Sequence, residues 1–386
     1  MIQTLAIKHY RSLFNLVIPL SNLNLITGPN ASGKSNLYKA LRLLAETAKG
    51  GVIHSLAKEG GLKTTFWAGP DQISRRMLMG DVPVQGNQPQ QVARLRLGFS
   101  SEDFGYSISF GYPEPTSSAF CLDPEIKREC IWAGNAYRPA RALVDRKGPA
   151  VKVRNGRSWE VIEQHNQTFE SIFTQAIHPD KAPEMVTLKE EIKGWRFYDH
   201  FRSDIDAPAR QPQLGTRTPV LSHDGHDLAA AIQTIIEIGD ETALYEAIED
   251  AFPGSQLEIK KFDNGLFMTQ LKQNGLLRPL LATEFSDGTL RYLLWIAALL
   301  TPRPPELMVL NEPETSLHPD LLPALARLII KASQSTQIWV VSHASRLISA
   351  LEQSPECNAI RLEKELGQTK IIGQGILDKP NWHWPD

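Results

Sequence analysis

Cysteine and long apolar segments are scarce in this chain of 386 residues. Its three cysteines, Cys121, Cys130 and Cys357, form no CxxC pair. This usage is typical of a reducing compartment and does not indicate a zinc site. The longest strongly apolar run, YLLWIAALL, has nine residues, and a membrane span needs roughly 20. The opening MIQTLAIKHYRSL lacks the apolar core of a signal peptide. We therefore expect a cytoplasmic protein with no membrane partner.

An excess of one charge sign is also missing, because 41 basic residues face 43 acidic ones. The net charge of −2 excludes a polycation, so any contact with nucleic acid must come from a local patch. No heptad pattern persists, which argues against a long coiled coil. Hydrophobic content of 42% and charged content of 22% are typical of a globular protein, here of two or three domains.

Apolar strands alternate with helical patterns, which predicts an α/β fold. Residues 306–310 and 337–341 are expected to be buried parallel strands joined by a helix at 320–333. The remaining predictions are strands at 2–8, 13–20 and 23–27, a helix from Ser35, helices at 226–250 and 289–300, a strand pair at 255–272 and a C-terminal hairpin. Residues 50–190 contain strand-like pieces without a clear order.

The segment GPNASGKS, residues 28–35, matches the phosphate-loop pattern G-x-x-x-x-G-K-[ST] at every fixed position. It lies between a predicted strand and a predicted helix, the context that this pattern needs. Its glycines let backbone N–H groups converge on phosphate oxygens, and the helix presents its positive end to the same anion. Lys34 is expected to reach the β- and γ-phosphates, and Ser35 to bind Mg²⁺.

Three further polar segments follow in a fixed order. Ser286, Asp287 and Gly288 precede the apolar helix, while Glu312 and His343 each follow a predicted parallel strand. Because carboxyl ends of such strands form the ligand-binding edge of an open sheet, Glu312 and His343 are candidates for a shared site. Taken singly, Ser286 fits an ordinary helix cap and His343 a packed or capping histidine.

Together with Lys34, this order resembles the ABC-type ATPase heads of the RecF and SMC group, and within it the AAA family ATPases that lack long coiled coils. The match covers residues 1–48 and 275–348, with a weaker extension at 221–235. The resemblance makes 28–35 Walker A, 307–312 Walker B, 286–288 the signature motif, SLHP the D-loop region and His343 the switch histidine. It implies nucleotide contacts from Arg11, Gly28, Asn30, Gly33, Lys34, Ser35, Asn36, Ser286, Asp287 and Gly288.

The expected fold is therefore an ABC-type P-loop ATPase head with two lobes, a mixed sheet with parallel core strands and a long insertion. Residues 1–50 and 221–386 are assigned to the ATPase core, and residues 51–220 elaborate the first lobe or form an accessory domain. Lys34 and Ser286 are 252 positions apart (286 − 34). The alternative is the ATPase subunit of an ABC transporter, in which Walker A and the signature motif lie much closer together in sequence.

Asn311 occupies the position where this group usually has a metal-side aspartate. Asparagine keeps the shape and a carbonyl oxygen but loses the charge. Ser35 and the phosphates remain as Mg²⁺ ligands, so we expect weaker metal retention with intact ATP binding. Glu312 is the predicted base or water-orienting group, and His343 and Lys34 complete the catalytic set. The prediction is a slow ATPase, and the alternative is a non-hydrolysing nucleotide-sensing scaffold.

A basic stretch covers residues 138–157 and carries a local charge of +6, from seven cations and Asp145 (7 − 1). Such a patch can neutralise nucleic-acid phosphates. It also fits a solvated strand face or a contact with an acidic protein. The seven cations are Arg138, Arg141, Arg146, Lys147, Lys152, Arg154 and Arg157.

The resemblance also implies a homodimer with ATP at the interface, in which the signature segment of one copy caps the nucleotide of the other. Asp287 would then have to turn away from the phosphates and bond to backbone. Nucleotide-driven dimerisation is expected to gate DNA binding or a partner effector protein, in genome maintenance or phage defence.

Overall fold

The computed structural model describes residues 1–70, 74–79, 81–83, 94–114, 119–175, 178–375 and 378–385. The chain divides into two compact units. The first unit contains Met1–Ser21, Gly28–Trp195 and Ile360–Asp386, and the second contains Asn22–Thr27 and Arg196–Ala359. Within the described residues, no helix is long and apolar enough to cross a membrane.

The helices are α1 (Lys34–Lys49), α2 (Val52–Lys58), α3 (Gly61–Thr65), α4 (Arg75–Leu78), α5 (Ile172–Gln175), α6 (Pro183–Gly194), α7 (Leu228–Ile238), α8 (Glu241–Ala251), α9 (Asp287–Leu299), α10 (Leu322–Ala332) and α11 (Ser345–Glu352). The strands are β1 (Thr4–Tyr10), β2 (Leu13–Pro19), β3 (Leu23–Thr27), β4 (Leu95–Ser100), β5 (Phe104–Gly111), β6 (Glu125–Ala133), β7 (Ala142–Lys147), β8 (Ala150–Asn155), β9 (Ser158–Glu163), β10 (Arg196–Tyr198), β11 (Gln213–Leu214), β12 (Ser255–Lys261), β13 (Leu266–Gln273), β14 (Leu280–Leu281), β15 (Leu307–Asn311), β16 (Gln337–Val341), β17 (Cys357–Glu365) and β18 (Gln368–Ile371).

The first unit is built on an eight-stranded antiparallel sheet in the order β2-β1-β4-β5-β6-β7-β8-β9. Side chains alternate between the two faces of this sheet. In β7, for example, Ala142, Val144 and Arg146 are buried, while Asp145 and Lys147 lie on the opposite, more exposed face. Helix α1 packs against α2, α5 and α6 through its buried apolar stripe. Residues 50–190, which the sequence left without a clear order, thus supply most of this sheet.

The second unit contains the parallel strands β10, β15, β16 and β3, which are neighbours in that order. Leu310 pairs with Val340, and Val340 pairs with Leu25, so all carboxyl ends meet at one edge. Buried side chains of β3, β15 and β16 share an apolar core with helices α7, α9 and α10. Strands β11, β12, β13 and β14 form a separate antiparallel sheet. These elements confirm the predicted α/β class with parallel core strands.

One helix boundary differs from the sequence prediction. The single helix expected at 226–250 is wrong: α7 ends at Ile238, and α8 starts after Asp240, whose carboxylate accepts a hydrogen bond from Ala243 N at 2.9 Å. An aspartate in that position caps a new helix. Residues 196–220 lie in the second compact unit and residues 360–386 in the first, and the division into ATPase core and accessory domain stays a prediction.

Candidate functional site

The phosphate loop requires glycine at two positions. Gly28 has φ 146° and Gly33 has φ 108°, both unfavourable for other residues. A Cβ on Gly33 would lie 2.1 Å from Thr369 Oγ1, and one on Gly28 would lie 2.3 Å from the carbonyl oxygen of Leu362. Side chains at either position would force the loop open. The two fixed glycines of the motif are therefore explained by backbone geometry.

Helix α1 starts at Lys34 directly after this loop, and neither a side-chain cap nor an acidic residue occupies its first turn. The Lys34 side chain is buried and donates from Nζ to the carbonyls of Gly28 (2.6 Å) and Pro29 (2.8 Å). Ser35 is exposed at the helix start, and Asn30 is exposed in the loop. A buried ammonium next to an uncapped helix N-terminus suits a phosphate anion, so these residues fit the nucleotide that the motif predicts.

A chain of hydrogen bonds, unpredicted from the sequence, braces the loop from behind. Thr369 Oγ1 donates to Ser32 O at 2.8 Å and lies 2.7 Å from Ser12 Oγ. Ser12 Oγ in turn accepts from Asn36 Nδ2 at 2.8 Å. Asn36, predicted as a nucleotide contact, thus connects α1 to the turn between β1 and β2. No sequence signal marks Thr369, because it lies 337 positions from Ser32.

Arg11 lies in the same turn, with a left-handed φ of 48°. Its guanidinium is half-buried and pairs with the Glu59 carboxylate at 2.8 Å, and the backbone N–H of Arg11 donates to Thr65 O. The structure therefore gives Arg11 a bracing contact to the α2–α3 region. A nucleotide contact from Arg11 stays a prediction.

Glu312 and His343 come together at the carboxyl edge of the parallel sheet. Glu312 follows the last residue of β15, Asn311, and takes a left-handed φ of 49°. Its N–H donates to Val341 O at 2.8 Å, and its Oε1 lies 3.6 Å from His343 Nε2. Both side chains are exposed. A carboxylate and an imidazole in this arrangement can accept, hold and orient a water molecule.

Glu314 organises this edge and was missed by the sequence reasoning. Its Oε1 accepts from Ser342 Oγ (2.8 Å), His343 N (2.8 Å) and Ala344 N (3.1 Å). The carboxylate therefore fixes the backbone that carries His343. The repeated glutamate in N-E-P-E was the available signal, since a second acid after Pro313 can fold back on the neighbouring strand.

The signature segment begins helix α9. Ser286 Oγ accepts from Thr289 N at 3.1 Å as an N-cap. Asp287 Oδ1 accepts from Arg210 Nη2 at 2.9 Å, a side-chain partner at the position where a backbone partner was expected. The buried Arg210 also donates to the carbonyls of Ser203, Asp204, Ala282 and Phe285. This cation offsets the Asp287 charge and fixes the start of α9, where Gly288 lies half-buried.

The metal candidates do not form a protein cage. No group of three or more His, Cys, Asp or Glu side chains in the described ranges could hold a metal ion. Asn311 is half-buried at the end of β15, and Ser35 is exposed. This donor set suits Mg²⁺, which takes most of its ligands from phosphates and water.

The basic stretch is divided between exposed and buried cations. Arg146 is fully buried, pairs with Glu129 at 2.6 Å and donates to the carbonyls of Gly148 and Gln167, so it is not available to a nucleic acid. Alternation along β7 turns it inward, which the sequence window did not reveal. Arg154 lies half-buried, 4.6 Å from the Trp159 ring centre. The exposed members are Arg138, Arg141, Lys147, Lys152 and Arg157.

The parallel sheet, the phosphate loop and the edge carboxylate define an ABC-type ATPase head. Residues 23–349 match the family model described as "AAA domain, putative AbiEii toxin, Type IV TA system", and the chain belongs to this family. The match spans most of the chain, including the loop, signature and edge residues. No curated protein matches the chain.

Solved structures with a similar fold are heads of SMC proteins. The SMC head bound to the C-winged helix domain of ScpA has a TM-score of 0.51 at 13% identity, covering 97% of this chain and 98% of that one. The SMC head domain from Thermotoga maritima has a TM-score of 0.49 at 13% identity, and the alignment covers 97% of this chain and 99% of that one. The SMC head domain from Pyrococcus furiosus has a TM-score of 0.49 at 12% identity, and the alignment covers 96% of this chain and 95% of that one. At 13% identity, the similarity to the first of these structures shows only that the fold is shared.

Proposed function

We propose that the chain binds ATP at Gly28–Ser35 and hydrolyses it slowly. The observation that carries this proposal is the buried Lys34 beside an uncapped α1. Glu312 orients the attacking water, and His343, held by Glu314, senses the γ-phosphate. Mg²⁺, when bound with ATP, neutralises charge on the transferring phosphoryl group. Because such transfer depends on positioning and charge stabilisation, the loss of one formal charge at Asn311 slows it without abolishing it.

Binding is tested with the Lys34→Ala variant. Removing a charge-assisted donor should weaken ATP affinity at least about tenfold, equal to about 1.4 kcal/mol. Isothermal titration calorimetry with ATP and Mg²⁺ measures this. Lys39→Ala, a half-buried lysine on the same helix, is the matched control and should leave affinity unchanged. Equal affinity for wild type and Lys34→Ala would refute the assignment.

Hydrolysis is tested with Glu312→Gln. Loss of a general base or water-orienting carboxylate should lower phosphate release by about 10²–10⁴-fold while ATP stays bound. Glu306→Gln, an exposed glutamate at the opposite end of β15, should keep the wild-type rate. Wild-type release no faster than the buffer blank, with ATP binding intact, would instead identify the non-hydrolysing scaffold.

We further propose that ATP drives a homodimer whose formation gates a partner, either DNA or an effector protein, in genome maintenance or defence. The family description names a toxin and a toxin–antitoxin system, and the SMC head of the first similar structure is bound to a ScpA domain. Both observations favour an ATPase head that controls a separate partner molecule. Ser286 and the start of α9 would cap the nucleotide of the second copy.

Nucleic acid is favoured as one such partner by a specific face of the first unit. Lys152 and Arg154 point away from the buried Val151 and Val153, and Arg154 stacks on the exposed Trp159. Cations interleaved with an aromatic ring can contact phosphates and stack a base.

A further inference from the structure

Helix α9 holds the segment after Glu312 with two side chains of the same compact unit. Arg291 Nη1 donates to Thr315 O at 2.9 Å. Trp295 Nε1 donates to Pro313 O at 3.0 Å. Arg291 and Trp295 are four residues apart, so they lie on one face of the helix. This face of α9 therefore binds the backbone just beyond the carboxylate at the sheet edge.

Both donors are fixed by contacts of their own. Trp295 is buried, and its ring packs edge-on against Phe201 with 4.8 Å between ring centres. Arg291 is also buried, and its Nε donates to Ser203 Oγ at 3.1 Å. Arg291 Nη2 lies 2.9 Å from His200 Nε2. The two side chains thus form a rigid support, and not an adaptable surface contact.

The segment that they hold is a tight turn with Glu312 in an uncommon conformation. Glu312 has a left-handed φ of 49°, which is unfavourable for a residue with a Cβ. Its N–H donates to Val341 O, and its carbonyl accepts from Thr315 N at 3.1 Å. A conformation of this kind persists only where the surrounding structure holds it. The bonds from α9 to the carbonyls of Pro313 and Thr315 add to that restraint.

We propose that Trp295 and Arg291 are positioning residues for ATP hydrolysis. From α9 they hold the turn after β15, so that the Glu312 carboxylate keeps the direction in which it orients water. Because both side chains are buried and bond to carbonyls of the turn, they act through Glu312 and not on the nucleotide. The inference rests on the proposed hydrolysis by Glu312.

The test is a double-mutant cycle on the rate of ATP hydrolysis. Trp295→Phe keeps an aromatic ring but removes the Nε1 donor. It should lower kcat about tenfold, because small misplacements of a catalytic group are costly, and leave the dissociation constant of ATP within about twofold. In the Glu312→Gln background, the same change should alter the residual rate by less than about twofold, since no carboxylate remains to be positioned. Single turnovers of labelled ATP with excess protein measure these slow rates.

Trp339→Phe is the matched control. Trp339 is a buried indole of β16, and its Nε1 has no hydrogen-bond partner among the residues that the structure describes. Its replacement removes the same atoms without removing a hydrogen bond, so kcat should stay close to the wild-type value. Arg291→Gln, which removes the second donor, should behave like Trp295→Phe in both backgrounds.

Hydrogen–deuterium exchange followed by mass spectrometry observes the turn without any hydrolysis. In Trp295→Phe, residues 312–317 should exchange faster than in wild type, while β16 should exchange as before, because the loss is local. Unchanged exchange at 312–317 would contradict the hold of α9 on the turn.

The outcomes separate the two proposals. A wild type that binds ATP without hydrolysing it refutes the proposed hydrolysis and, with it, any positioning for hydrolysis. A wild type that hydrolyses ATP while Trp295→Phe keeps its full kcat overturns the positioning role alone. An equal fall of the rate with and without the Glu312 carboxylate overturns it too, because the effect would then be independent of Glu312.

Discussion

Thr369 is a single hydroxyl on which the shape of the phosphate loop depends. It fills the space that a side chain on Gly33 would take and bonds to Ser32 O. Thr369→Val keeps the volume but removes the Thr369 donor from this carbonyl and leaves Ser12 Oγ with its bond from Asn36. Each lost buried hydrogen bond costs about 1 kcal/mol. We expect ATP affinity, measured by calorimetry, to fall about fivefold.

Thr369→Ser retains the hydroxyl and is the control for this prediction. It should bind ATP within about twofold of wild type. Equal binding by the valine and serine variants would mean that the loop keeps its shape without the hydrogen bonds, and that steric contact alone supports it.

At this scale, the sequence predicts those residues whose pattern is encoded locally. Gly28, Gly33 and Lys34 are recognisable because the loop needs them at fixed spacing between a strand and a helix. Thr369 could not be found, because its contacts depend on how distant segments pair. Arg146 was misassigned for a related reason: its orientation is set by alternation along β7, and a count of charges ignores which face each residue takes.

At the element scale, the start of α9 depends on one arginine from another segment. Arg210 satisfies four backbone carbonyls besides Asp287. Arg210→Gln should lower the free energy of unfolding by at least about 3 kcal/mol, because buried carbonyls lose their donors. Chemical denaturation measures this. Arg202→Gln, at an exposed pair with Asp204, should leave the free energy of unfolding close to the wild-type value, because solvent screens such pairs.

The contribution of the Arg210–Asp287 pair to the free energy of unfolding can be measured separately. The Asp287 side chain is 60% exposed, so a double-mutant cycle of Arg210→Gln and Asp287→Asn should give a coupling below about 1 kcal/mol. A larger coupling would show that Arg210 acts mainly by neutralising Asp287, and not by holding the loop carbonyls.

The outer face of β7 and β8 gives the second element-scale prediction. Reversing Lys147, Lys152 and Arg157 to glutamate should weaken DNA binding and flatten its salt dependence, by about 0.9 in the log–log slope for each lost phosphate contact. Fluorescence anisotropy at several salt concentrations measures the slope. The control reverses three exposed lysines elsewhere in the same unit, Lys58, Lys63 and Lys193. Identical slopes for both triple variants would refute this face as the contact.

Element boundaries were less predictable than element types. Strands β3, β15 and β16 were found because buried parallel strands are continuous apolar runs. The split between α7 and α8 was missed because apolar spacing continues across Gly239 and Asp240. The order of β4 to β9 was not predictable, since pairing partners in an antiparallel sheet are chosen by tertiary contacts.

At the scale of the whole molecule, the prediction is a nucleotide-dependent homodimer. Around a twofold axis, the signature segment of each copy can cap the nucleotide bound to the other. ATP then strengthens association by mass action. Glu312→Gln should be dimeric with ATP and Mg²⁺ and monomeric without nucleotide, as measured by light scattering. Adding Ser286→Arg should abolish the dimer while monomeric ATP binding persists. Ser349→Arg, at an exposed position of α11, should dimerise normally. A dimer insensitive to nucleotide and to Ser286→Arg would place the contact on another surface.

The division of the chain among the two units also sets an order of events during synthesis. The phosphate loop is made early, yet Thr369 and Leu362, which limit its shape, belong to a segment that leaves the ribosome after Ala359. Domains usually fold as the chain emerges, N-terminal parts first. We therefore expect the phosphate loop to take its final shape only after β17 and β18 have been translated.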